Sequence, residues 1–384
     1  MKPEVIVLGA GSAGLQAARN ILERTNLDIL VIEEHARIGY PEHCTGLISL
    51  NGVKNALRVP LQNLAVNYIH GAYIYSPSGI RLLVARTEPV AVVINRPLYE
   101  YMLYKLVADR VKFVLGVKAS LANGKVYFRD TTLKPSFIVD ARGLQSLTSR
   151  RPEARKHVIP ALQFDMSARL EEYKYVHVFL GDQFSKGFFA WAVPLDDNRV
   201  RIGLASKGNV LLRLKTLANR LEKITNGIIK PTSRLRVLGG AVYTGGLADQ
   251  VSGTVYYVGD SAGQTKPTTG GGLVYHSYAS LYLAEALAKN SQAHYDYSIR
   301  RLLGREIKRQ LLLRRLLDGM NDKELNELFL VLKRINGEEL VSKYGDMDVQ
   351  TSLLRKLGME LMKREPLFYL RAIPLLFNLL VAQF

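Results

Sequence analysis

An α/β fold is predicted: a parallel-sheet domain interleaved with a β-rich domain, followed by C-terminal helices. Three observations predict it. The first 34 residues read strand, glycine-rich turn, helix, strand. Short segments of period-two alternation recur at about 51–94 and 157–206. From Tyr297 onward, leucines and basic residues recur at helical spacing. With 384 residues, 48% hydrophobic and 22% charged, the chain has the material for one large or two modest packed domains.

The elements follow in order. "EVIVLGAG" is a buried strand, "SAGLQAARNILERT" a helix and "LDILVIEE" a second strand. Between the first two, Gly9, Gly11 and Gly14 form G-x-G-x-x-G. Gly9 allows the tight turn, Gly11 lets the backbone approach a pyrophosphate, and Gly14 allows close helix-to-strand packing, with the helix N-terminus facing the anion. Glu33, 24 residues after Gly9, closes the second strand as the expected acceptor for a ribose hydroxyl. The pattern predicts a Rossmann-like βαβ unit, and the acid favours a free 2′-hydroxyl, hence NAD or FAD over NADP.

Next come the loop holding Cys44, alternating segments with a Ser-Pro-Ser-Gly hairpin turn, and a helix in "NRPLYEYMLYKLVAD" with Pro97 in its first turn. Strands return in "VKFVLGV", "GKVYFRD" and "PSFIVDARG", then in "YKYVHVFL" and "KGFFAWAVPLDDNRVRIGLAS" before a helix near Leu211–Thr225. The predicted division is 1–58, 95–156 and 235–295 for the nucleotide domain, 59–94 and 157–234 for the β-rich substrate domain, and 296–384 for a helical region.

The distinction between the two cofactors lies far downstream. "VYYVGDSAGQTKPTTGGG" carries Gly259 and Asp260 after a strand, then Pro267 and Gly270 to Gly272 opening a helix. A carboxylate there can accept a hydroxyl from a second sugar-like chain, and glycines at a helix start admit another polar part of the same ligand. Two such distant ends fit one extended cofactor, FAD.

These motifs, with Arg96 in "NRPLYEYMLYKLV" and Asp140 and Gly143 in "IVDARG", occur in an order that resembles the geranylgeranyl reductase family of prenyl-lipid reductases, within the flavoprotein class that includes aromatic hydroxylases. The likeness runs from about Pro3 to Lys289. Its more specific marks are P-x-x-C-x-G at Pro41–Gly46 and "FAWAVPLDDNRVRIG", where Phe189 and Val193 replace the family's usual tyrosine and phenylalanine. The resemblance implies an FAD-dependent reductase that saturates isolated prenyl double bonds. It implies cofactor contacts from Gly9, Gly11, Ala13, Gly14, Glu33, Cys44, Gly46, Arg96, Ala119, Asp260, Gly272 and Leu273. It places Cys44 near the flavin as the catalytic candidate and makes Phe188, Phe189 and Trp191 candidate channel walls.

Read from the residues alone, Cys44 stays open among a buried small side chain, a nucleophile and a group set against a cofactor. One cysteine makes no internal disulfide and no iron-sulfur cluster, and the seven scattered histidines show no metal-ligand spacing, so no metal is expected. The alternatives to a reductase are a flavin monooxygenase of the aromatic-hydroxylase class and a non-catalytic lipid-binding flavoprotein. No second G-x-G-x-x-G marks a separate nicotinamide domain, which leaves NAD(P)H and a ferredoxin both open as the electron donor. The net charge of +18 points to anionic partners. Without nucleic-acid motifs no nucleic acid is expected, and the candidates are a prenyl lipid and an anionic membrane surface. The N-terminus lacks a secretory signal pattern, so a cytoplasmic location is expected. The basic Arg300–Arg315 stretch and the apolar "PLFYLRAIPLLFNLLVAQF" offer two readings, packed helices or peripheral membrane docking.

Overall fold

Val5–Leu8 is apolar throughout and all four residues are buried, as befits a strand covered on both faces. The computed structural model, which describes residues 3–368, sets it inside a six-stranded sheet. The order is Val251–Ser252, Val255–Tyr257, Phe137–Asp140, Val5–Leu8, Ile29–Ile32 and Lys112–Val114. The strands are parallel apart from the hairpin at the Val251 edge. Helices Ser12–Arg24 and Leu273–Ala288 pack together on one face through Leu15, Ile21, Ala279 and Leu283. Buried Asn20 and Gln16 bond Ser280 and Ser277 across that seam, so the polar groups in it are satisfied. The other face carries an antiparallel meander, Ser120–Ala122, Lys125–Phe128 and Thr131–Leu133, with Val126 in its core.

The β-rich part is a seven-stranded sheet ordered Ile229–Tyr243, Val158–Leu170, Arg199–Ala205, Phe189–Pro194, Tyr175–Leu180, Gly71–Tyr75 and Arg81–Ala85. Strict alternation sorts its side chains. Phe164, Ala190, Ala192, Ile202 and Leu204 face the helix Val210–Ile224, while Val176, Trp191 and Val193 face the opposite way into a second cluster.

The predicted α/β architecture is present, and residues 59–94 contribute strands to more than one sheet. Ala91–Ile94 pairs with Leu47–Ser49 on one side and Ala65–Ile69 on the other in a small antiparallel sheet, whereas Gly71–Tyr75 and Arg81–Ala85 extend the large one. The Ile229–Tyr243 strand continues through 234 and 235, with a bulge at Leu235, where the sequence division falls. Alternation reveals a strand but not its partner.

The helical region is recruited as an edge cover. Leu83 and Ala85 of the outermost strand donate their N–H groups to Glu338 and Ser342, which pairs an edge that would otherwise stay open. In the basic stretch, Arg300, Arg301, Arg305, Lys308 and Arg309 are exposed, but Arg314 turns inward and pairs with Asp318. No helix among the described residues is long and apolar enough to cross a membrane. All but the first three residues of Pro366–Phe384 lie outside the described residues.

Candidate functional site

One cavity of about 1550 Å³ runs between the two sheets. That exceeds the roughly 300–1,000 Å³ of a pocket for one drug-sized ligand, so there is room for two molecules side by side. Its polar arm is lined by Gly9, Gly11, Ala13, Glu33, Arg96, Ala119, Asp260, Gly272 and Leu273. Its apolar arm is lined by Ile69, Val176, Val178, Phe188, Phe189 and Trp191, and Cys44 and Gly46 line the same cavity.

The polar arm is built on backbone geometry. Gly9 has φ +98°, and a Cβ there would meet Ala141 O at 2.7 Å, so neither the turn nor the space admits a side chain. A Cβ on Gly14 would lie 2.0 Å from Gly9 O, which identifies Gly14 as a packing residue. One on Gly11 would meet nothing within 4 Å, leaving the start of the Ser12–Arg24 helix open toward the cavity. Glu33 Oε2 accepts the Ala10 N–H at 2.6 Å, and Oε1 accepts the His35 N–H at 2.9 Å. A carboxylate has about four acceptor sites, so Glu33 both ties the glycine loop to the second strand and retains capacity for a ligand hydroxyl.

Arg96 and Asp260 supply the charge. Buried Arg96 pairs with Glu100, whose Oε1 also accepts the Ser12 N–H at 3.1 Å. Burial lowers the Arg96 pKa, yet the charge and hydrogen bond of Glu100 outweigh it and raise it above the ordinary value. Its Nε is buried without a hydrogen-bond partner. At Asp260, burial raises the carboxyl pKa, but the His276 ring, with Nε2 at 3.2 Å from Oδ1, and the charges of His43 and Arg96 hold it below the usual range. Ala13 is pressed against this point, since a Cβ on Gly259 would lie 2.7 Å from its methyl. An orphaned guanidinium nitrogen, an open glycine loop and two hydroxyl-accepting carboxylates fit an FAD.

The Cys44 loop is held from below. Gly46 has φ +83°, and its N–H points to Cys44 Sγ at 3.4 Å. Arg201 Nη1 donates to the carbonyls of Cys44 at 2.9 Å and Thr45 at 3.1 Å. Gln163 Oε1 accepts from Thr45 Oγ1 at 2.7 Å and from Trp191 Nε1 at 3.1 Å, while its Nε2 donates to His43 O at 3.2 Å. Gln163 thus ties the thiol loop to the aromatic wall, where Phe188 stacks on Phe189 with centroids 4.3 Å apart. Arg201 is paired with buried Asp165, which also accepts from Arg236. Burial raises the Asp165 pKa, but these two guanidiniums lower it further than that.

Every cofactor, catalytic and channel residue expected from sequence, Gly14 excepted, borders this one cavity. Sequence reasoning missed Gln163, Arg201, Lys266 and Asp348. Lys266 Nζ donates to Asp348 Oδ1 at 2.8 Å and Met347 O at 3.0 Å, drawing the 345–350 segment against the cavity as a further wall. The signal for Gln163 and Arg201 lay in register, for they sit opposite Gly203 and Asp165 on neighbouring strands. Among the described residues no group of three or more His, Cys, Asp or Glu side chains is placed to hold a metal ion.

Comparison with known proteins agrees with this architecture. An uncharacterized protein of Methanocaldococcus jannaschii is 28% identical over 368 residues, covering 91% of this chain and 93% of the relative. A digeranylgeranylglycerophospholipid reductase of Methanothermobacter thermautotrophicus is 24% identical, covering 89% of this chain and 94% of the relative. The crystal structure of a geranylgeranyl bacteriochlorophyll reductase-like protein from Thermoplasma acidophilum superposes with TM-score 0.80 at 21% identity, covering 97% and 99% of the two chains. The likeness to geranylgeranyl reductases read from the motifs is borne out. A family model described as lycopene cyclase protein matches residues 4–341, nearly the whole of the described fold, and the chain therefore belongs to the lycopene cyclase protein family.

Proposed function

We propose that the protein is an FAD-dependent reductase that saturates isolated double bonds in the geranylgeranyl or other prenyl chains of lipids. One observation carries the proposal: a single cavity is lined both by the glycines and carboxylates that fit FAD and by aliphatic and aromatic side chains, with Cys44 among its lining residues. An isolated alkene has no carbonyl to polarise, so holding it in place and excluding water must do much of the work.

When bound, FAD supplies the hydride chemistry. The chain's own residues do the rest. Gly9, Gly11, Glu33, Arg96 and Asp260 bind and orient the cofactor. Phe188, Phe189, Trp191, Val176 and Val178 hold an apolar chain out of water. Cys44 borders the cavity with its Sγ receiving the Gly46 N–H, where it orients the alkene and holds a proton. The substrate class agrees with the names of the curated reductase relatives.

The test is anaerobic. Protein loaded with FAD and reduced chemically is mixed with a geranylgeranyl lipid, and the products are weighed by mass spectrometry. A gain of two mass units per bond with flavin reoxidation is expected. No reoxidation by lipid rejects the reductase, and reoxidation only when oxygen is then admitted, with oxygen incorporated into the lipid, assigns a monooxygenase.

A further inference from the structure

His276 enters the site above only as the neighbour that holds the Asp260 carboxyl low, yet it occupies one of the most constrained places in it. It sits in the first turn of the Leu273–Ala288 helix, where its N–H donates to Gly272 O at 2.8 Å. The residue is only 8% exposed and borders the cavity. Both ring nitrogens are buried without an aligned hydrogen-bond partner, although Nε2 lies 3.2 Å from Asp260 Oδ1. A Cβ on Gly272 would fall 2.2 Å from that Nε2, so the imidazole fills the space that a side chain on Gly272 would take.

A buried imidazole that makes no aligned bond loses the hydrogen bonds it had in water, which is costly unless a ligand restores them. Asp260 beside it is an acceptor with capacity to spare. A hydroxyl satisfies both at once, donating to the carboxylate and accepting from an imidazole N–H. We infer that His276 is a ligand-binding residue that acts with Asp260 as a two-point receiver for a hydroxyl-bearing chain, the polyol linker of FAD. The inference rests on the FAD reading above and adds to it a residue that the glycine and acid motifs do not reveal.

The test measures binding rather than turnover. Apo-protein is titrated with FAD and separately with ADP, which carries only the adenosine and pyrophosphate part, by fluorescence or calorimetry. His276→Phe, which keeps a ring of similar shape without nitrogens, should weaken FAD about tenfold, the loss expected for a hydrogen bond in a charged pair, and leave ADP within about twofold. His276→Gln, which restores a donor, should recover part of the loss. Should His276→Phe melt below the assay temperature, His276→Ala takes its place with the same expectations. Unchanged FAD affinity, an equal loss of FAD and ADP affinity, or no recovery in His276→Gln overturns the inference while leaving the FAD reading intact. A wild-type chain that takes up no FAD overturns both.

Discussion

A Cβ on Gly203 would lie 2.5 Å from Cε2 of Trp191. The two residues face each other across neighbouring strands, and the indole lies over the glycine so that its Nε1 reaches Gln163. Gly203→Ala must therefore push the indole aside. Overpacking of this kind costs about 1–3 kcal/mol. A lower melting temperature and slower lipid reduction, with FAD content kept, are expected from thermal melts and product analysis.

Glu33 and Asp260 both line the cavity. Removing either carboxylate, as Glu33→Ala or Asp260→Ala, deletes a charge-assisted hydrogen bond of about 1.5–3 kcal/mol, roughly ten- to hundredfold in FAD affinity. Glu33→Ala should also loosen the glycine loop, because Ala10 N–H loses its acceptor. FAD release, read by fluorescence, checks both variants.

Cys44→Ser nearly preserves shape while exchanging a polarizable thiol for a more strongly hydrated hydroxyl. FAD content should stay at the wild-type level, and the rate of alkene reduction or the number of bonds reduced should change. Anaerobic product profiles decide. An unchanged profile would assign Cys44 to packing.

His177 is fully buried on the helix-facing side of the large sheet, with Tyr75 Oη 2.9 Å from its Nδ1. Burial, and then the charge of Arg81, push its pKa down to about 3. Between that value and the ordinary 6.5, the unfolded chain binds a proton that the folded chain refuses, so stability falls as pH drops through this window. Urea unfolding at pH 7.5 and pH 5 should show the loss, and His177→Phe should make it smaller.

Much of the polar arm was legible because its signals are local. Gly9 and Gly11 sit between a strand and a helix and Gly14 in that helix's first turn, and the helix start at Gly272 lies twelve residues past Asp260. The support under Cys44 was not legible. Arg201 lies more than 150 residues from the carbonyls it holds, and only the register of Val158–Leu170 on Arg199–Ala205 sets Asp165 opposite it. Lys266 and Asp348 are likewise 82 residues apart, with no pattern in either segment that announces the other. The strand at Ile229–Tyr243 was hidden for a simpler reason: Pro231 and the Gly239-Gly240 pair lie inside it, and such residues ordinarily mark turns.

The interleaving of the sheets also sets a timetable for synthesis. Val5–Leu8 leaves the ribosome early, but it pairs with Phe137–Asp140, which in turn pairs with Val255–Tyr257. At 5–20 residues per second, roughly 12–50 s pass before the last of these strands exists. Throughout that interval the nascent nucleotide-binding half has an unfilled sheet edge, a template for pairing with the wrong strand. The Lys266–Asp348 tie arrives later still, so the wall it draws against the cavity is added only after the sheets can close. The burden of this topology falls on the unfinished chain, and chaperone demand during expression should track translation speed through the first 257 residues.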